Sequence, residues 1–361
     1  MKRKIMTLAL VVFFLGSICA AFAQGPGPSV EFVDIPGNGD GIKPFKMSKT
    51  EITNQQYVNF LNAALRENMI TVGQEENINT SMIYDKNGNQ MLNILGYRVV
   101  RDHDRNGVYQ LVEMENPLNR SWVEYDSGKK RFSVPDPDKV NWDHYFEKAS
   151  FPNVVDKITN WHELHKFWPD GEKEKNDELI FAGPLDSDHE LPSLEEVKRW
   201  PINHMKYYGA KAFADFYGYD LPALEELQWA AAGGKGYKYG TSDGTISSDN
   251  VVCKCLPDGT KFTRGMPPHK GHVQPVGTFA SNPYGVYDLS GNVYEWTKTL
   301  NNKDLNCRAK KGEGEESFVR IGGSWNYPAP FQSLETRQCK DTSAARGNDH
   351  FGFRVVKRTN K

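Results

Sequence analysis

Past residue 15 the chain has no long apolar run. Nothing after the N-terminal segment approaches the ~20 consecutive apolar residues that span a bilayer, so a membrane-spanning helix is not expected. An excess of positive charge is missing too: 44 Lys and Arg against 46 Asp and Glu give a net charge of −2, which offers no basic field to nucleic acid. Cysteine is scarce at five residues. No internal repeat is visible, which leaves no ground for a repeat architecture.

What is present begins with a targeting signal. Lys2, Arg3 and Lys4 precede the apolar run Ile5 to Leu15, and small residues follow as far as Ala21-Phe22-Ala23. That order is a cleaved secretory signal over residues 1–23. The mature chain is expected to start at Gln24 and to be secreted or periplasmic. A lipid anchor at Cys19 is the other reading, and the bulky Ile18 before it argues against attachment there. Cleavage removes three of the 44 basic residues and no acidic one, so 41 minus 46 leaves a mature charge of −5.

Cys253, Cys255, Cys307 and Cys339 survive cleavage. An even count in an oxidising compartment suggests two disulfides, with Cys253 and Cys255 each reaching Cys307 or Cys339. The alternative is a Cys-x-Cys copper or zinc site, since thiolates select soft metals. No His flanks the pair at the usual ligand spacing.

Glycine is abundant at 32 and aromatics make up 12%. With few long periodic stretches, this favours many turns and short irregular strands around a few helices, an α+β chain low in regular secondary structure. Its length would allow two domains, but the pattern reads as one domain, 24–361, with an insertion at about 69–190. In EITNQQYVNFLNAAL, Thr53 and Gln56 form a capping box. Tyr57, Phe60, Leu61 and Ala64 fall at i, i+3, i+4 and i+7, predicting a helix with one face on a core. A second helix is predicted over roughly 207–217 with Gly218 as its stop, and a third from Pro222 to near Gly233. Within the insertion YRVV, VYQLVE and RFSV alternate between polar turns and predict β-hairpins. The run EKEKNDE at 172–178 reads as a solvated loop.

Three blocks near the C-terminus say most: GVYDLSGNVYEW at 285–296, GGSW at 322–325 and GFRVV at 352–356. Together with EITNQQYVNFLNAA and YDLPALEELQWAAAGG they make residues 30–68 and 191–358 resemble the formylglycine-generating enzyme (sulfatase-modifying factor) superfamily. The resemblance implies an irregular fold related to C-type lectins. In that family the positions matching Asp288, Gly291, Val293 and Glu295 bind structural calcium. Hard calcium takes several oxygens at once, and glycine lets the loop curl so that carbonyls can join the carboxylates. The other reading is a tight turn whose Asp and Glu satisfy backbone amides, with Trp296 in the core. A second family calcium site survives less well. Asn250 and Val251 match its first half, but its later carboxylate falls near His269 or Lys270, where a cation would repel the ion.

The same resemblance implies a loss. Catalytic members carry a Cys two residues past the aromatic of the GGS-aromatic block and another five residues later, and the pair binds copper to oxidise a substrate cysteine to formylglycine. Those positions here are Tyr327 and Gln332, which supply no thiolate, and Cys339 lies seven residues too late. Ser324 matches the family's active-site serine, although that serine is also suited to backbone hydrogen bonding. His350 stands where the family usually has Asn. Iron-dependent members use a spaced three-ligand histidine motif; the nearest pair here, His162 and His165 in WHELHKFW, is not HExxH, lacks a third ligand and reads as two surface histidines.

DHDRNGVYQLVE at 102–113 fits a twelve-residue calcium loop, with Asp102, Asp104, Asn106, Gly107 and Glu113 at positions one, three, five, six and twelve. Its flanks alternate like strands, so the equal alternative is a hairpin with a polar turn and Glu113 up the second strand.

The function expected is a secreted member that keeps the scaffold and one calcium, lacks copper chemistry and acts as a binding or accessory subunit with a protein partner. The insertion, with Trp122, Trp142, Trp161 and Trp168, would supply interface anchors or a small core of its own. The alternative is a copper or iron oxidase or oxygenase with a relocated cysteine site.

Overall fold

The structure, a computed structural model, describes residues 29–74, 81–92, 97–101, 109–113, 121–139, 192–247, 249–253, 273–301, 316–325, 327–336 and 343–358. Residues 1–23, Asp102, Asp104, Asn106, Trp142, Trp161, His162, His165, Trp168, the 172–178 run, Cys255, His269, Lys270, Cys307 and Cys339 lie outside them.

Helix α1 (Asn54–Arg66) forms where the capping box is: the Thr53 hydroxyl accepts from Gln56 N, and the Gln56 side chain accepts from Thr53 N. Its apolar stripe, Tyr57, Phe60, Leu61 and Ala64, is buried against Phe213 and Ala214 of α3 (Tyr207–Phe216) and against Phe353. Each of the large side chains contributes roughly 1.5–3 kcal/mol by leaving water. Gly218 ends α3 with φ 68, as expected. Sequence reasoning missed the six-residue α2 (Leu194–Arg199). It also misplaced the start of α4, which is Leu224–Ala231 rather than Pro222 onward. The Pro222 carbonyl accepts from Lys298 N and the Thr299 hydroxyl accepts from Leu224 N, so this stretch is first tied to a strand.

The sheets are small. β1 (Phe32–Ile35), β2 (Phe45–Ser48) and β13 (Val356–Arg358) form one antiparallel sheet with β2 central; it packs with α4 around Ile35, Phe45, Met47, Leu227 and Val356. β10 (Tyr294–Leu300) lies between β11 (Phe318–Ile321), antiparallel, and the two-residue β12 (Phe351–Gly352), parallel. This α+β arrangement with low regular structure agrees with the sequence reading.

The described part of the insertion is hairpin-rich, as predicted. β3 (Ile70–Gln74), β4 (Ser81–Asp85) and β5 (Gln90–Leu92) form a meander, β6 (Tyr97–Arg101) pairs with β7 (Tyr109–Glu113), and β8 (Glu124–Asp126) pairs with β9 (Arg131–Ser133). Trp122 is no interface anchor. It is 1% exposed, edge-on to Trp200 at 5.6 Å, and shares a core with Val252, Val273, Val293 and Trp325. Among the described residues no helix is long and apolar enough to cross a membrane.

Candidate functional site

The loop entering β10 is bent where its sequence is unusual. Asp288, Gly291 and Asn292 have φ of 56, 90 and 59. Gly291 is needed for space as well, since a Cβ there would stand 2.5 Å from the Val252 carbonyl oxygen. Non-glycine residues in this region cost on the order of 1–3 kcal/mol each, so the surroundings must hold them. Asn292 is held from all sides. Its Oδ1 accepts from Gln274 N at 3.0 Å, its Nδ2 donates to Glu51 Oε2 at 2.7 Å, its N donates to Val252 O at 3.0 Å, and its carbonyl accepts from Trp325 N at 2.9 Å. Val293 N donates to Glu51 Oε1 at 3.1 Å. Asp288 Oδ2 accepts from Gly277 N at 2.6 Å.

Beneath the loop lies a buried ion pair. Arg354 Nε and Nη2 each donate to one oxygen of Glu295 at 2.6 Å, while Nη1 and Nη2 also reach the carbonyls of Ser48 and Tyr287. Glu51, Glu295 and Arg354 are at most 1% exposed. Burial pushes all three carboxyls up. Glu51 stands well above its ordinary value because the charges of Asp288 and Glu295 add to burial and outweigh Arg354. Burial lifts Asp288 to about 6 against the pull of the Gly277 amide and Arg354. Glu295 is raised by burial despite Arg354 beside it. Three carboxyl groups thus lie around one guanidinium, and burial works against the charged form of each.

The residues fit calcium. Among the described residues no donor bonds the buried carbonyls of Gly291 or Val293, or Oδ1 of Asp288. Buried carbonyls so left are uncommon. Each Glu295 oxygen keeps a lone pair beyond its guanidinium bond. These are hard oxygens of the kind calcium takes. Two of these four groups are backbone carbonyls, and among the described residues no trio of His, Cys, Asp or Glu is able to hold a metal.

The second site is where catalytic members carry thiols. The loop after Trp325 brings positions 327 and 332 together: Gln332 Nε2 donates to the carbonyls of Tyr327 at 2.7 Å, Ser324 at 3.1 Å and Pro328 at 3.4 Å. The Tyr327 ring packs on Tyr294, Phe331 and His350, with centroids at 5.1, 5.2 and 5.3 Å. His350 Nδ1 is 2.7 Å from Asp349 Oδ1. The expectation that the Ser324 hydroxyl serves the backbone is not met. Its Oγ is buried without a partner among the described residues, as is the Tyr294 hydroxyl.

The remaining sequence candidates make contacts of their own. Glu113 pairs with Tyr97 at the end of the β6–β7 hairpin away from its loop, four residues or about 13 Å beyond the closing pair. Asn250 serves a turn, donating to Asp243 Oδ1 and the Thr245 carbonyl. Cys253 is buried beside Val251. Glu51 and Arg354 were missed as site residues. Both stand in recognisable blocks, EITN and GFR, yet a lone acid before a capped helix shows no role until its partners 241 and 242 residues away are known.

The chain is similar to several known proteins. The inactive C-alpha-formylglycine-generating enzyme 2 of Bos taurus is 32% identical over 174 residues, 45% of this chain and 52% of that protein. The chain spans about half the length of the curated relatives of this kind that it matches. The solved structure of CarF is 16% identical with a TM-score of 0.44, covering 92% of this chain and 99% of that one. PvdO from Pseudomonas aeruginosa is 14% identical with a TM-score of 0.43, covering 91% of each. The model of the sulfatase-modifying factor enzyme 1-like domain matches residues 21–359, nearly the whole sequence. By that match, the chain belongs to the sulfatase-modifying factor enzyme 1-like domain family.

Proposed function

We propose that the chain is an extracytoplasmic sulfatase-modifying-factor-like protein that does not generate formylglycine and serves as a calcium-stabilised binding or accessory subunit of a protein assembly. The observation that carries this reading is Gln332. At the second thiol position of catalytic members it offers a carboxamide already committed to three carbonyls. Tyr327, at the first, offers a ring packed among three others. Neither is a soft ligand for copper. The relatives described as inactive formylglycine-generating enzymes support the reading.

Calcium, when bound, would supply fixed positive charge to an acidic interior. Asp288 and Glu295 would hold it with the carbonyls of Gly291 and Val293, and Arg354 orients Glu295. The partner is a protein, and no nucleic acid is involved, given the acidic balance of the chain.

The test is an aldehyde assay. The secreted protein is incubated with copper, oxygen and a cysteine-bearing sulfatase peptide, and aldehyde is read by hydroxylamine-probe labelling. No labelling is expected; labelling above a protein-free control overturns the reading. For the calcium, the melting temperature should rise in calcium chloride over chelator, and an unchanged value rejects the ion. Affinity capture from the native medium, repeated with chelator, identifies the partner and whether it depends on calcium.

A further inference from the structure

We propose that Glu51 is a positioning residue of the calcium loop, an acid brought from the segment before α1 to fix the two carbonyls that would face the ion. The inference rests on the calcium reading above and adds a residue that the loop's own sequence does not contain.

The geometry is specific. Glu51 is fully buried, and both of its oxygens are used on the loop: Oε2 accepts from Asn292 Nδ2 at 2.7 Å and Oε1 from Val293 N at 3.1 Å. The peptide joining Asn292 to Val293 is therefore clamped on both edges, by Glu51 at its N–H and by Trp325 N at its carbonyl. The carbonyls of Gly291 and Val293, those without donors among the described residues, lie one residue to either side of that peptide. The left-handed conformation of Asn292 carries a cost, and the side-chain bonds to Glu51 and Gln274 offset it. The neighbouring segment fixes Glu51 in turn, because Ile52 N donates to Phe353 O and Ile202 N donates to Ile52 O. A ligand loop held by an outer carboxylate in this way loses affinity when that carboxylate is removed, even though it does not touch the ion.

The experiment titrates calcium chloride alone into the folded full chain by calorimetry, with melting temperature in chelator as a second readout. Wild type should bind, and Asp288→Asn should not. Glu51→Gln should keep the near-ultraviolet circular dichroism of wild type and bind about tenfold more weakly. Glu51→Asp keeps the charge but shortens the reach, and should weaken binding as well. Asn292→Gly suits the left-handed backbone and deletes the side-chain bonds to Glu51 and Gln274; if Glu51→Gln does not fold, Glu51→Asp against Asn292→Gly separates the loss of the Glu51 contact from the loss of both. Wild-type affinity in the folded variants, with wild type binding, overturns the role of Glu51 alone. Absence of binding by wild type removes the calcium reading and this inference with it.

Discussion

Gln332 Nε2 lies 2.7 Å from the carbonyl oxygen of Tyr327, so the two positions that hold thiols in catalytic relatives are joined here by a side-chain amide. The amide also reaches the carbonyls of Ser324 and Pro328, closing the loop that follows Trp325. Gln332→Ala would take this donor from the Tyr327 carbonyl, while the Ser324 and Pro328 carbonyls keep the amides of Tyr327 and Phe331, at about 1–3 kcal/mol for the lost bond. Urea unfolding should show a lower midpoint with an unchanged slope. A variant as stable as wild type would mean the amide does not hold the loop.

Arg354 and Glu295 form a buried pair whose members cannot be removed singly without leaving a charge behind. Arg354→Met should destabilise by about 3–5 kcal/mol, since Glu295 would remain among Glu51 and Asp288 with no guanidinium. Glu295→Gln should cost less, because it also relieves the crowding of carboxylates. Thermal unfolding of the two variants checks the order, and the reverse order would refute it.

Trp122 ties the insertion to the cluster around Trp200, Val293 and Trp325. Trp122→Ala should cost about 3–5 kcal/mol, the range for removing a large buried aromatic. A surface role would instead leave chemical denaturation unchanged.

Asp220 sits between Lys298 and Arg358. Burial would raise its carboxyl, but the hydrogen bond and charge of Lys298, the charge of Arg358 and the Leu221 amide outweigh it and hold the group below its ordinary value. A carboxyl depressed in the folded state contributes stability above its unfolded value, near about 3.9, and loses it as pH falls through the folded value. Asp220→Asn should therefore flatten the fall in stability below about pH 4, read as melting temperature against pH. Parallel curves for variant and wild type would refute this.

Local signals were legible in the sequence and distant ones were not. The capping box at Thr53 and the stripe from Tyr57 to Ala64 belong to one helix, so spacing alone placed them. The β6–β7 hairpin followed from alternation in the same way. Asp288 and Glu295 could be named from their block. The Glu51 bonds to Asn292 and Val293 join residues about 240 positions apart, and no local pattern encodes such a contact. Trp122 could be read as an interface anchor or as part of a small core, and only Trp200 beside it decides for a core. The start of α4 was displaced by Thr299, a strand residue that claims the Leu224 amide.

β2 has β1 on one side and β13 on the other, both antiparallel to it, with Phe32 opposite Ser48 and Arg358 opposite Phe45. The outer strands therefore run the same way, and the chain enters one at one end of the sheet and leaves the other at the opposite end. Tension reaching the domain through its flanking segments would load these backbone bonds together in shear instead of opening them one by one. This three-stranded patch would be the part that resists stretching first.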